Sequence, residues 1–433
     1  MNAPSAPLAL DAALEAKIFA GITEERWLAL AQELIVAGQP DAENPLDPDM
    51  PPGREEGISL VVAQKLRAMG LEVTLDAKRP GRPNVIGILQ GAQSPSLILN
   101  DHLDTYPSGE HALWTETGGD PYRPTRKNDF LFARGTSDTR GNLACTLLAV
   151  QAVLEAGVRP VGTLKCVYTV DEEKNGPDGS IYLLDEKGLT ADYEITCEPT
   201  GWTRPDESWG MSLALANSGH YLVELVLKGV QSHLWRPDLA VNPVEDMTRL
   251  LSGVETLQLT HPKPKMYGGT PPRATVLRIQ GGAVREMQFT PGWCRAVLGL
   301  VGLVPGMTAE SVLADVRSWV AQRAAGDPRL EATVRPYPGA LFVSGTLEQD
   351  PECQPALALR NAYRRLLGDE PILYRKNAFN DTIRFAERGI PAVTFGPGED
   401  GWPPINEYIR VQKSVAGTKV LALAMLEILG IQA

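Results

Sequence analysis

The sequence predicts an α/β protein: a discontinuous domain built on a mostly parallel mixed sheet, interrupted by an inserted α+β domain. Three observations predict it. In the first half, short β-branched runs alternate with helical patterns. In the middle the order becomes β-α-β-β-α-β. From about Pro355 the first pattern resumes and ends in a long apolar helix, Ser414 to Gly430. The expected divisions are residues 1–212 and 329–433 for the larger domain and 213–328 for the insert.

Each element has its own signal. EEGISLVVAQKLRAMG is amphipathic, with Gly70 as its stop. LEVTLDA, NVIGILQG and SLILNDHLD read as strands. NLACTLLAVQAVLEAG is apolar nearly all round, as a helix buried against a sheet would be. TLKCVYTV and YEITCEP are runs suited to the interior of a parallel sheet. HYLVELVLKG alternates as a half-exposed antiparallel strand does. NPVEDMTRLLSGVETL, ATVLRIQGG, WCRAVLGLVGL and a helix from Thr308 complete the insert.

Bulk properties exclude several functions. A chain of 433 residues is too long for one ordinary core. The net charge of −12, with no basic run, argues against nucleic acid and anionic membranes and suits a small-molecule substrate. Five scattered cysteines without CxxC spacing read as buried thiols in a reducing, cytoplasmic compartment. MNAPSAPLALDAALEAKIF has no basic start and no long apolar stretch, so no signal peptide is expected. No apolar run is long enough to span a bilayer.

The chain has only five histidines, which makes each informative. In LILNDHLDTYP a strand ends in Asp101-His102-Leu103-Asp104, which places His102 and Asp104 on one face of an extended chain. A carboxylate there orients a metal-binding imidazole; a plain strand-end turn explains the stretch as well. Asp138, in FARGTSDTRGN, precedes the buried helix, where a carboxylate is often only a cap. The bracketing Gly135 and Gly141 suggest instead a backbone bent to aim it into a cleft. Asp171, Glu172 and Glu173 crowd another strand end, which reads either as a solvated loop or as a site that a cation relieves. Glu198 ends a fourth run. Acids gathered at strand ends fit the rule that open α/β sheets bind ligands at their carboxyl ends.

His102-x-Asp104, Arg134-Gly-Thr-Ser-Asp138, Asp171-Glu-Glu and Glu198-Pro, in this order, resemble the M20 family of metallopeptidases and amidohydrolases. That family includes aminoacylases, acetylornithine deacetylases and glutamate carboxypeptidases. GVQSHLWRPDLAVNP and IQGG resemble its inserted segment. The resemblance implies a catalytic domain carrying a ferredoxin-like dimerisation domain, hence a homodimer. It implies one metal on His102, Asp138 and Glu198, a second shared by Asp138 and Glu173, Glu172 as general base, and Asp104 supporting His102. It implies that His233 stabilises the oxyanion, with Asn242 nearby on the substrate.

One part of the family pattern is missing. After the Gly-Pro-Gly turn the family carries a histidine shortly before a glutamate, and it completes the second metal site. Aligning on Glu407 puts Pro403 there, and no histidine follows His261. Glu399, Asp400 and Asn406 are the available substitutes. The expectation is one divalent ion per chain, Mn²⁺ or Zn²⁺, with the second site weak or absent.

A single ion clamps a concentrated oxyanion less well than two. That points to a substrate that spreads its charge, and the specific expectation is an aminohydrolase acting on an electron-poor aromatic amine such as 5-nitroanthranilate. The alternative is an N-acyl amino acid deacylase or dipeptidase. A further alternative, a binding protein that has lost catalysis, is disfavoured by the intact Glu172. Arg375, in YRKNAFNDTIRF, is the expected bidentate partner of a substrate carboxylate.

Overall fold

The computed structural model describes residues 10–47, 50–266, 271–282, 287–401 and 403–431. Part of the N-terminal stretch read for a signal peptide therefore lies outside the described residues. The chain divides into two compact units: 1–216 with 348–374 and 380–433, and 217–347 with 375–379.

The larger unit is built on an eight-stranded mixed sheet. Its spatial order is Glu72–Asp76, Asn84–Leu89, Thr163–Thr169, Ser96–His102, Tyr193–Thr196, Ala392–Thr394, Leu213–Asn217 and Leu373–Lys376. The strands from Thr163–Thr169 through Ala392–Thr394 pair in parallel. Asn84–Leu89 and Glu72–Asp76 extend the sheet antiparallel on one side. "Mostly parallel" therefore describes the centre, where the apolar runs lie, and the outer strands make the sheet mixed.

The helices follow their patterns. Glu56–Ala68 buries Ile58, Val62, Ala63 and Leu66 on one face, and Gly70 then takes φ +85°, which ends the helix at low steric cost. Gly141–Glu155 is buried almost throughout, as its all-round apolar sequence requires, and packs against Val411–Leu429. No described helix is long and apolar enough to cross a membrane.

The smaller unit has a four-stranded antiparallel sheet in the order Arg273–Gly281, Trp293–Leu303, Gly219–Lys228, Thr333–Pro336. Helices Pro243–Leu251 and Ala309–Ala324 complete the β-α-β-β-α-β order, the second opened by a Thr308–Ser311 capping box. The inward residues of strands and helices meet in a separate core that includes Val223, Leu225, Leu298, Leu300, Met247, Leu250 and Trp319.

The second domain junction falls at 347/348 rather than 328/329. The reason is Thr333–Pro336, which pairs with Val223–Val226 as the edge strand of the small sheet.

Candidate metal centre

Three parallel strands of the larger unit bring the chemistry together. His102 is the last residue of Ser96–His102, Glu172 and Glu173 follow Thr163–Thr169, and Glu198 follows Tyr193–Thr196. The register sets His102 beside Thr169 and Asn100 beside Thr196, so these side chains emerge at one edge. His102 Nε2 lies 3.0 Å from Asp138 Oδ1, 3.1 Å from Glu198 Oε1 and 3.9 Å from Glu172 Oε2.

The loop carrying Asp138 is shaped by its neighbours. Gly135 has φ +83°, open to glycine at little cost. Gly141 has ordinary helical φ, but a Cβ there would come within 2.2 Å of the Thr136 carbonyl oxygen. The two glycines thus serve different needs, one a left-handed turn and the other a close approach. Glu407 lies beneath this loop. Its carboxylate accepts hydrogen bonds from the backbone N–H groups of Gly135, Ser137 and Asp138 and from Arg134 Nη1, at 2.7–2.9 Å.

Asp104 joins the two strand ends. Its main-chain oxygen lies 3.0 Å from His102 Nδ1, and its carboxylate 3.4 Å from the same atom. The carboxylate also accepts from the N–H groups of Glu172 and Glu173 and from Asn44 Nδ2. Asp171 turns away from the cluster in a left-handed conformation and accepts from Asn44 and from Arg82, which also pairs with Glu55. The acidic triplet is therefore split: one acid builds the scaffold and two face His102.

Burial and charge are opposed here. Burial, then the neighbouring carboxylates, push Glu172 and Glu173 well above the usual carboxylate range, against the pull of His102. Burial disfavours a charged His102, but Glu172 and the bonds to Asp104, Asp138 and Glu198 outweigh it and raise its pKa. A divalent cation relieves this crowding. The ligand atoms of His102, Asp138 and Glu198 lie within 4.8 Å of one another, as do those of His102, Glu172 and Glu173. One imidazole with carboxylates is a donor set that fits such an ion.

The substitutes considered for the missing histidine have other partners. Glu399 pairs with the buried Lys413 at 2.5 Å and accepts from Thr203. Asp400 accepts from the Tyr374 hydroxyl, and Asn406 bonds Glu116 N and Thr115 Oγ1.

In the smaller unit, His233 packs edge-on against Phe289 and its Nδ1 accepts from Trp235 N. Asn242 caps the helix Pro243–Leu251. Arg375 corrects an expectation. It is 1% exposed, and its guanidinium donates to the carbonyls of Met266, Asn217 and Thr346. A guanidinium so engaged braces main chain and does not present the fork that a substrate carboxylate needs.

Sequence reasoning missed Asn44, Arg82 and the cradle made by Glu407. Arg134 carried a signal, since it lies within the Arg-Gly-Thr-Ser-Asp motif, but its partner is distant in sequence.

This geometry gathers side chains able to hold a metal ion. The family model for Peptidase family M20/M25/M40 matches residues 98–427, and the chain belongs to that family. It is 26% identical over 414 residues to an N-formyl-4-amino-5-aminomethyl-2-methylpyrimidine deformylase of Bacillus subtilis (strain 168), covering 92% of this chain and 93% of the relative. It is 26% identical over 360 residues to a succinyl-diaminopimelate desuccinylase of Alkalilimnicola ehrlichii, covering 82% and 89%. The fold matches human carnosine dipeptidase 1 with a TM-score of 0.78 and 17% identity, over 98% of this chain and 99% of that one. The chain is a metallohydrolase acting on amide or peptide C–N bonds.

Proposed function

We propose that this enzyme removes a small acyl group from an N-acylated substrate or cleaves a dipeptide, using one divalent ion held by His102, Asp138 and Glu198. The observation that carries the reading is the convergence of these ligands with Glu172 at 3.9 Å from His102 Nε2. The deformylase and desuccinylase relatives favour this over the aromatic aminohydrolase expected from the sequence, which none of the relatives named above supports.

A divalent ion held there by His102, Asp138 and Glu198 would supply Lewis-acid activation of water and of the scissile carbonyl. Glu172, buried 3.9 Å from His102 Nε2, takes a proton from the attacking water as the C–O bond forms. It returns the proton to the nitrogen as the C–N bond breaks, giving a carboxylic acid and an amine; the acid's proton then passes to the amine or to solvent, leaving a carboxylate. Asp104 orients His102 and fixes the Glu172–Glu173 backbone. Mn²⁺ and Zn²⁺ both suit the donor set.

The roles of His233 and Asn242 toward substrate rest on the family resemblance. So does a homodimer, to which the exposed Leu277 and Ile279 on an edge strand of the small sheet lend support; a cytoplasmic location rests on the scattered cysteines alone. The test is Glu172→Gln, assayed on N-formyl and N-succinyl amines and on dipeptides. We expect kcat to fall by about 10²–10⁴-fold with metal content unchanged. Full activity would remove Glu172 from the mechanism, and the mass of the same sample in solution reads the dimer.

A further inference from the structure

A single buried guanidinium stands behind the acidic turn that carries Glu172. Arg82 lies just before the strand Asn84–Leu89 and is 3% exposed. Its Nε and Nη2 donate to the Glu55 carboxylate at 2.9 and 2.6 Å, at the start of the helix Glu56–Ala68. Its Nη1 donates to Asp171 Oδ1 at 2.8 Å and to Asp178 Oδ2 at 3.3 Å. The three acids are buried as well, and none belongs to either ligand group.

What Arg82 holds is the turn itself. Asp171 has φ +63°, a left-handed conformation that is costly for a residue with a side chain. Asn175, just past the short helical turn Glu172–Lys174, has φ +71°. The Asp171 carboxylate supplies the compensation. Its Oδ1 accepts from Arg82 and, at 2.9 Å, from Asn44 Nδ2; its Oδ2 accepts from Asp178 N at 3.2 Å. The Asp171 carbonyl accepts from Lys174 N and Gly176 N, at 3.2 and 2.8 Å, which closes the turn. Asn44 Nδ2 also donates to Asp104, whose carboxylate accepts from Glu172 N. With Asp171 anchored to Arg82, Glu172 points the other way, its Oε2 3.9 Å from His102 Nε2.

We propose that Arg82 is a positioning residue for the general base: its fork ties Asp171 to Glu55 and so fixes where the Glu172 carboxylate stands. The inference rests on the hydrolase reading above. Its bonds go to Glu55, Asp171 and Asp178, not to His102, Asp138 or Glu198, so its influence falls on proton transfer and spares metal binding. A lysine keeps the charge but presents one point. It cannot grip Glu55 with two nitrogens and Asp171 with a third.

The experiment compares Arg82→Lys made in the unaltered enzyme with Arg82→Lys made in Glu172→Gln. In the unaltered enzyme we expect kcat to fall by about 10–100-fold, with KM and metal content little changed. In Glu172→Gln we expect no further loss, because residues that act as a unit are not additive. A merely structural arginine would lower kcat by the same factor in both backgrounds. That result, or an unchanged kcat, would overturn the inference. Amide exchange over residues 171–176 reads the turn without any substrate. It should quicken in Arg82→Lys, and unchanged exchange would also overturn the inference. Asp171→Asn guards against an Arg82→Lys protein that does not fold. Asparagine tolerates the left-handed φ, but its amide cannot accept from Asp178 N while its oxygen accepts from Arg82 and Asn44. The same loss of kcat and faster exchange are expected there, and full activity would overturn the inference. Failure of the unaltered enzyme on every acylated amine and dipeptide would instead defeat the proposed function, with the exchange still readable.

Discussion

Two acidic loops of the larger unit look alike in sequence and do opposite things. Glu172 and Glu173 crowd against Asp138, Glu198 and a single imidazole. In the loop near the C-terminus the acids have donors of their own: Glu399 has Lys413, Asp400 has Tyr374, and Glu407 has Arg134 with backbone N–H groups. Carboxylates with individual partners are scaffold. Carboxylates crowded around too little positive charge form a site that a cation completes.

His102→Ala breaks the comparison most severely, because it removes the one imidazole common to both ligand groups. Metal content after dialysis should fall to background and activity with it. Normal metal content would refute the ligand assignment. Glu407→Gln tests the scaffold from below. A carboxylate here accepts from Gly135, Ser137, Asp138 and Arg134, and an amide replaces one acceptor oxygen with a donor. The Asp138 loop should shift and metal affinity should fall by about 10–100-fold, as read by chelator competition. Unchanged affinity would mean that the cradle does not set the position of Asp138.

The cluster of candidate ligands was legible because strand ends, a short histidine count and crowded acids are local features. His102, Asp138, Glu172, Glu173 and Glu198 each sit within a few residues of a recognisable run. What holds them was not legible. Asn44 reaches Asp104 and Asp171 from an irregular segment, and Glu407 reaches Arg134 from the far end of the chain. Such pairings depend on tertiary contacts that no periodicity records. Arg375 failed for a related reason: an arginine in a site-like stretch looks the same in sequence whether it faces solvent or is engaged by carbonyls. The sheet centre was readable from its apolar runs, whereas the small edge strand Thr333–Pro336 was too short to signal its domain.

The smallest expected effect on catalysis is also the sharpest test of the distinction between loops. Lys413 is fully buried and pairs with Glu399, while burial lowers its pKa against the pull of that carboxylate. Lys413→Met leaves the Glu399 charge buried without its cation, which should cost about 3–5 kcal/mol of stability in urea denaturation. Metal stoichiometry and kcat per folded molecule should not change, because Glu399 still accepts from Thr203 and belongs to neither ligand group. If Lys413→Met instead took up a second metal equivalent, Glu399 would be a ligand that Lys413 had been neutralising, and the second acidic loop would belong to the site after all.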